Sequence, residues 1–200
     1  MFTGLITEQG TISRLRRAEE IVRLVVHAPR TAPRLAIGES VAINGVCLSV
    51  VSNQRGMLAF EAIPETQRLT NLGRLAVVDR VNVEPSLTLS DRLNGHLVLG
   101  HVDGLGTIRS RAQQAGEVAV EIQVGRDLRR SLVPKAPIAI DGVSLTVGSR
   151  LTSTTCMVFL IPETMRKTTL GECRVGDTVN IELDYVAKLI AQLASHRQRH

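Results

Sequence analysis

Short apolar runs rich in Val and Ile recur along the chain, each closed by Gly, Pro or Asn. LVVHAP (residues 24–29), SVAING (40–45), VCLSVV (46–51), MLAFEAIP (57–64) and RVNVEP (80–85) read as short strands. The succession returns as VAVEIQV (118–124), PIAIDG (137–142), VSLTVG (143–148), CMVFLIP (156–162) and TVNIEL (178–183). About six short strands per unit predict a small antiparallel barrel, a closure that removes exposed sheet edges. Within SVAINGVCLSV the apolar phase changes: Val41 and Ile43 share one parity, and Val46, Leu48 and Val50 the other. The change falls on Asn44-Gly45, and in the second unit on Asp141-Gly142, between Ile138 and Ile140 and the set Val143, Leu145 and Val147. A slip at a glycine predicts a bulge or tight bend. It leaves Cys47 and Ser49, and in the second unit Ser144 and Thr146, pointing away from the aliphatic core. The tail breaks the pattern. In YVAKLIAQLASHRQRH, Val186, Leu189, Ile190 and Leu193 fall on one face of a helix. That face must pack either on its own barrel or on the helices of neighbouring subunits.

The two halves are copies. FTGLITEQGTI (2–12) matches VLGHVDGLGTI (98–108), ESVAINGVCLSV (39–50) matches APIAIDGVSLTV (136–147), AIPETQRLTNLG (62–73) matches LIPETMRKTTLG (160–171), and DRVNVE (79–84) matches DTVNIE (177–182). Four blocks in one order at an offset of about 97 residues establish a duplication. The boundary is expected near Ser86 to Gly95, where periodicity lapses and Leu87 to Leu93 could wind into a short helical turn. The expected organisation is a first barrel over residues 1–94, a second over 95–185 and a helix over 186–200.

Composition narrows the function classes. No apolar run is long enough to span a bilayer, and no leader peptide is visible at the N-terminus. Three cysteines, Cys47, Cys156 and Cys173, show no close pairing, which points to a reducing cytoplasm rather than a disulfide framework. The net charge is +5, but the charges are dispersed and only Phe2, Phe60, Phe159 and Tyr185 are aromatic, so stacking on nucleic acid is not expected. The basic end His196 to His200 reads as a solvated terminus. His96, His101 and Asp103 are metal-capable, but the histidines fall on opposite faces of a strand with no third ligand nearby, and no metal is expected.

Duplication itself carries a functional argument. Two similar barrels make two similar pockets, and two similar pockets hold two similar ligands. If the pockets face each other, the protein aligns two copies of one molecule, and orientation can supply much of the rate. The small hydroxyls on the outward strand face, with Thr66 and Thr164 of the repeated PET motif, suit a flat heterocycle rich in donors and acceptors. The copies also differ: Leu5 aligns with His101, Thr7 with Asp103, Asn44 with Asp141 and Cys47 with Ser144. An asymmetric set of acid, base and nucleophile candidates is what a donor and an acceptor would need.

MFTG, NGVCLSV, PETQRLTNLG, SDRLNGHLVLGHVDG, DGVSLTV and IPETMRKTTLG together resemble the α-type riboflavin synthase family, in order from Met1 to about Leu193. The resemblance implies an all-β fold of two tandem six-stranded antiparallel Greek-key barrels with a C-terminal α-helix. It implies a cytoplasmic homotrimer, held partly by those helices, with lumazine synthase as a further partner and no nucleic acid or membrane. The active site would lie between the N-terminal barrel of one subunit and the C-terminal barrel of the next. There a transferase reaction, the last step of riboflavin biosynthesis, would convert two molecules of 6,7-dimethyl-8-ribityllumazine into riboflavin and 5-amino-6-ribitylaminouracil without a cofactor.

The same resemblance implies a first pocket of Gly4, Leu5 and Ile6, then Cys47, Leu48 and Ser49, then Glu61, Ala62, Ile63, Pro64, Glu65 and Thr66. The second would use Gly100, His101 and Val102, then Lys135, then Ser144, Leu145 and Thr146, then Phe159, Leu160, Ile161, Pro162, Glu163 and Thr164. Phe2, Ser40, Cys47 and His101 match positions tied to activity. Ala136-Pro137, Asn94 and Pro85 depart from the usual pattern. A non-catalytic lumazine- or flavin-binding antenna protein of the same fold is the alternative reading.

Overall fold

The computed structural model describes residues 1–18, 21–114 and 116–197; residues 198–200 of the basic tail lie outside it. The first barrel contains β1 (Glu8–Ala18), β2 (Ile21–His27), β3 (Ser40–Ile43), β4 (Val46–Ser49), β5 (Ser52–Gln54), β6 (Met57–Ala62) and β7 (Arg80–Pro85). Their order is β4-β3-β7-β1-β2-β6-β5. The second contains β8 (Gly104–Gln114), β9 (Glu117–Val124), β10 (Pro137–Ile140), β11 (Val143–Thr146), β12 (Thr155–Leu160) and β13 (Thr178–Leu183), in the order β11-β10-β13-β8-β9-β12. The orders are equivalent apart from the short extra strand β5, and the named strand pairs are antiparallel. Each sheet bends round so that its ends meet: the Val51 amide donates to the Ala59 carbonyl at 2.8 Å, and the Gly148 amide to the Met157 carbonyl at 2.7 Å.

The phase slip anticipated at Asn44-Gly45 is a two-residue hairpin turn. Ile43 pairs with Val46 across it, and both turn residues have positive φ, 47° and 76°. Asp141-Gly142 repeats the turn at 45° and 78°. This geometry matches the strand twist and favours Asn-Gly and Asp-Gly. It returns Val46 and Leu48 to the side of Ile43 and Val41, so all four enter the first core with Ile12, Leu24, Leu58 and Phe60. The second core is the matching set around Ile108, Ile122, Ile138, Ile140, Val158 and Leu160.

The described residues also form the α-helices α1 (Pro64–Leu69), α2 (Arg126–Ser131), α3 (Pro162–Lys167) and α4 (Tyr185–Arg197). The two PET motifs open α1 and α3 with proline at the first position, where its missing N–H costs nothing. Helix α4 is where the tail periodicity places it, and Val186, Leu189, Ile190 and Leu193 are all exposed. Its stripe therefore does not pack on its own barrel. The linker carries no helix. Leu87 to Leu93 hold only a turn, in which the Asp91 carboxylate accepts from the Thr88 amide and hydroxyl, both at 2.8 Å. The residue types there, with Ser, Asp and Asn, favour such side-chain-capped turns over helix.

The barrels meet through a polar network with pseudo-two-fold symmetry. Asn82 on β7 donates through Nδ2 to the Asp141 carbonyl at 2.9 Å, and Asn180 on β13 donates to the Asn44 carbonyl at 2.8 Å. The Asn180 side-chain oxygen accepts from the Asn71 amide at 2.7 Å, and that of Asn82 from the Thr169 amide at 2.8 Å. Buried amides satisfied on both sides fix one orientation of the two barrels.

Candidate active site

The site is built by two crossing segments. Residues Phe2 and Val98 bridge each other antiparallel, with N–O distances of 2.7 and 3.1 Å. Beyond this bridge each segment lies on the outer strand of the barrel belonging to the other half. The Ser144 amide on β11 donates to the Gly4 carbonyl at 2.8 Å, and the Cys47 amide on β4 donates to the Gly100 carbonyl at 3.0 Å. Ile6 accordingly packs against the second core and Val102 against the first. The pocket composition expected from sequence is thus exchanged. Gly4, Leu5 and Ile6 belong with Ser144 and Thr146, whereas Gly100, His101 and Val102 belong with Cys47 and Ser49. The cause is steric as well as topological. Gly4 and Gly100 have φ of +77° and +80°, and a Cβ on either would come within 2.6 Å of the Ser144 Cβ or 2.5 Å of the Cys47 Cβ. Only glycine allows this close crossing.

Two buried carboxylates clamp the crossing. Glu84 accepts from the Thr3 amide at 2.7 Å, the Thr3 hydroxyl at 2.8 Å and the Gly4 amide at 3.0 Å. Its counterpart Glu182 accepts from the Leu99 amide at 2.7 Å and the Gly100 amide at 3.0 Å. Burial raises the pKa of both carboxyls, and the donated hydrogen bonds oppose that rise.

Around the second barrel the walls form a cavity of about 260 Å³ lined by Lys135, Ser144, Leu145, Thr146, Phe159, Ile161 and Thr164, among others. Phe159 and Ile161 present exposed apolar surface. Lys135 reaches the rim from a left-handed backbone position with φ of 68°. The equivalent face of the first barrel carries half-buried Cys47, exposed Ser49, exposed Ile63 and half-buried Thr66, with exposed His101 delivered by the crossing segment. Glu61, Pro64, Glu65, Pro162 and Glu163 are exposed on the two rims.

Several expected site residues sit elsewhere. The side chains of Leu48, Ala62 and Leu160 are buried in barrel cores, so only their backbone can face a ligand. Phe2 is fully buried with Ala42, Val98 and Ala139 at the barrel junction. It holds the crossing segment and is not presented to a ligand as a catalytic group would be. Ser40 pairs with Ser49 across β3 and β4, so it shares the Cys47 face. Pro137 stands opposite Thr146 in the equivalent place and supplies no hydroxyl there.

The differences between the copies divide by position. Cys47 and Ser144 hold the crossings through the Gly100 and Gly4 carbonyls, with His101 and Leu5 next in the chain, and Ser144 lines the second pocket. Asp103 instead accepts from the Leu183 amide at 2.8 Å and pairs with Lys188 of α4, and Asp141 lies in the junction network. Neither is placed for acid–base work in a pocket.

One residue at the site lies outside the motifs that mark the two pockets. His96 Nδ1 lies 2.7 Å from the hydroxyl of Ser144, a residue that lines the second pocket. Burial lowers the His96 pKa, while the charge of Asp184 pulls it upward. A neutral imidazole in contact with a hydroxyl can accept its proton. Considered only as a metal ligand, His96 turns to Ser144 while Asp103 turns to α4, so the two diverge. The signal in the sequence was the loop residue Gly95 before His96, which brings the backbone against Thr3 and Ser144.

The chain is similar to known proteins over nearly its whole length. The lumazine binding domain family matches twice, at residues 3–86 and 99–184. The riboflavin synthase of Bacillus subtilis (strain 168) is 35% identical over 188 residues, 94% of this chain and 87% of that protein. That of Mycobacterium tuberculosis (strain ATCC 25618 / H37Rv) is 38% identical over 196 residues, covering 96% and 98%. That of Brucella abortus (strain 2308) is 36% identical over 204 residues, covering 99% and 100%. Among solved structures, LumP complexed with riboflavin superposes with a TM-score of 0.85 at 22% identity, over 92% of this chain and 99% of that one. LumP complexed with 6,7-dimethyl-8-(1'-D-ribityl) lumazine gives 0.83 at 21% identity with the same coverage. At that identity the LumP likeness establishes the duplicated barrel fold, and the full-length relatives add the lineage: the chain belongs to the riboflavin synthase family of paired lumazine-binding domains.

Proposed function

We propose that the chain catalyses the dismutation of 6,7-dimethyl-8-ribityllumazine. A four-carbon unit passes from one molecule to another, giving riboflavin and 5-amino-6-ribitylaminouracil. Two identical reactants supply all the atoms of the two products, so no oxidant, reductant or cofactor is required. The observation that carries the reading is the pair of related faces with unlike chemistry: Cys47, Ser49 and His101 on one, Ser144 and Thr146 on the other, with His96 bonded to Ser144. One ligand must lose a proton from its 7-methyl group, and the other must be activated by addition at C7. A thiol or a water held by it suits the second task, and a neutral imidazole suits the first.

The second pocket, about 260 Å³, falls just below the roughly 300–1,000 Å³ of ordinary small-ligand sites and is open on one side. We read it as half of a site that the first barrel of a neighbouring subunit completes. The unpartnered stripe of α4 supports a trimer in which that neighbour is held in place. Lumazine synthase would supply the substrate. Three free cysteines, two of them buried, fit the cytoplasm, and among the described residues no helix is long and apolar enough to cross a membrane.

The antenna reading shares the fold with LumP and predicts binding without turnover. The test is to titrate purified protein with 6,7-dimethyl-8-ribityllumazine, then hold the complex and assay for riboflavin. Saturable binding followed by riboflavin formation is expected. Tight binding with unchanged lumazine after prolonged incubation would assign the chain to the antenna class.

A further inference from the structure

A groove of about 910 Å³ is lined by none of the residues of the crossing segments. It lies on the outer face of the first barrel between β1, β2, β5 and β6, lined by Ser13, Arg14, Arg16, Arg23, Val25, Ser52, Gln54, Arg55, Met57 and Ala59. Four of these are arginines. The register shift between Ile12 and Arg14 brings Arg14 and Arg16 onto the same outer face as their partners Val25 and Arg23. Arg16 and Arg23 are directly opposite each other, an arrangement of like charges that destabilises a sheet. Among the described residues none of the four arginines is in an ion pair. Glu61, opposite Arg23 on β6, forms no ion pair with it.

The duplicate barrel is an internal control for what the fold itself needs. At the positions equivalent to Arg14, Arg16, Arg23 and Val25 it carries Ser110, Ala112, Ala119 and Glu121. There Ser110 donates to Glu121 at 3.3 Å, and the face is satisfied internally. The same strands therefore close without arginine at the places of Arg14, Arg16 and Arg23, although Arg109 stands where the first copy has Ser13 and bonds to Gln123. The set Arg14, Arg16 and Arg23 is particular to the first copy.

We infer that this groove binds a phosphorylated small molecule with a flat or apolar body. Guanidinium groups match phosphate oxygens in bidentate geometry, and several converging on one groove bind a polyphosphate better than a single carboxylate. Val25, Met57 and Ala59 form an apolar floor against which a ring could lie. The groove is walled and of small-ligand size, which favours a nucleotide-sized ligand over a macromolecular surface.

The test uses the full chain and isothermal titration calorimetry at low ionic strength, with pyrophosphate, adenosine diphosphate and adenosine as probes. Wild-type protein should bind the diphosphate at least tenfold more tightly than adenosine, and more tightly than pyrophosphate. The variant Arg14→Ser/Arg16→Ala/Arg23→Ala, which copies the second barrel, should lose at least tenfold in diphosphate affinity. It should still bind 6,7-dimethyl-8-ribityllumazine as wild type does, which also shows that it is folded. If it does not fold, Arg16→Ala alone should weaken the diphosphate at least threefold. Wild-type protein that binds neither phosphate probe, variants that bind them as tightly as wild type, or competition between diphosphate and lumazine would overturn the inference. A diphosphate held no better than pyrophosphate would overturn the role of the apolar floor.

Discussion

The imidazole of His96 and the hydroxyl of Ser144 are 2.7 Å apart, although 48 residues separate them in the chain. The crossing of the two segments makes this contact, because the same backbone approach sets the Gly4 carbonyl against the Ser144 amide. If the pair moves a proton in the second pocket, Ser144→Ala and His96→Gln should each lower kcat by about tenfold to a hundredfold, the scale of a lost acid–base contribution. Lumazine affinity should change far less. Since burial lowers the His96 pKa, wild-type kcat should persist as pH falls through the ordinary histidine range near 6.5 and decline only below it. Pre-steady-state turnover across pH, with fluorescence titration of the ligand, checks both. A kcat unchanged at saturation would reduce the pair to positioning.

Cys47 and His101 come from different repeats, yet the Cys47 amide bonds to the Gly100 carbonyl, next to His101. This places a nucleophile candidate and a base candidate at one pocket. Cys47→Ser and His101→Gln should each cost about tenfold or more in turnover. A double variant no worse than the poorer single would show that they act as one unit. Weaker binding with unchanged turnover at saturation would assign both to ligand positioning.

Much of this was legible in the sequence, for identifiable reasons. Alternation of Val41 and Ile43 with Ala42, the Asn44-Gly45 turn and the repeated blocks give the hairpins and the duplication directly. The tail stripe gives α4. The long strands β1 and β8 were less visible, because each carries a bulge, after Ile12 and after Ile108, that breaks alternation, and their far ends are polar. The exchange of Gly4–Ile6 and Gly100–Val102 between barrels was not visible at all. It rests on contacts across most of the chain, such as Gly4 with Ser144, and local pattern carries no information about which copy a segment docks on. The same applies to the side chains of Phe2, Leu48, Ala62 and Leu160, whose motifs lie at the site while the side chains themselves point into cores.

Asp141 gives a pH-dependent stability. Burial raises its pKa from 3.8 to about 7; hydrogen bonds from the Asn180 amide and the Asn71 side chain oppose this, and Asp177 adds to it. Because the folded pKa lies above the unfolded value, the folded state holds the proton more tightly. Stability from this group is complete below about pH 4 and is lost as pH rises to about 7. The first barrel has Asn44 at the equivalent position. Asp141→Asn should therefore stabilise the protein at pH 8 by on the order of a few kcal/mol and leave it unchanged near pH 4. Urea unfolding at the two pH values measures this. An equal effect at both would show that the difference is packing, not ionisation.

Replacing Leu189, Ile190 and Leu193 by Gln should leave each barrel folded, since these side chains are exposed on α4. The same change should reduce the mass seen in sedimentation equilibrium from three chains to one. Turnover should fall with the mass, because the two half-sites would no longer meet. A wild-type monomer, or a trimer that survives the change, would remove the helix from assembly.

In the proposed reaction two copies of one lumazine react with each other in paired, chemically unlike pockets. Its most direct measurement is the stoichiometry of a single closed reaction: purified protein, 6,7-dimethyl-8-ribityllumazine and a strong chelator, with nothing else added. Two molecules of lumazine should be consumed for each riboflavin formed, with one 5-amino-6-ribitylaminouracil released. Riboflavin appearing only after a metal or second substrate is restored, or lumazine bound and never consumed, would contradict it.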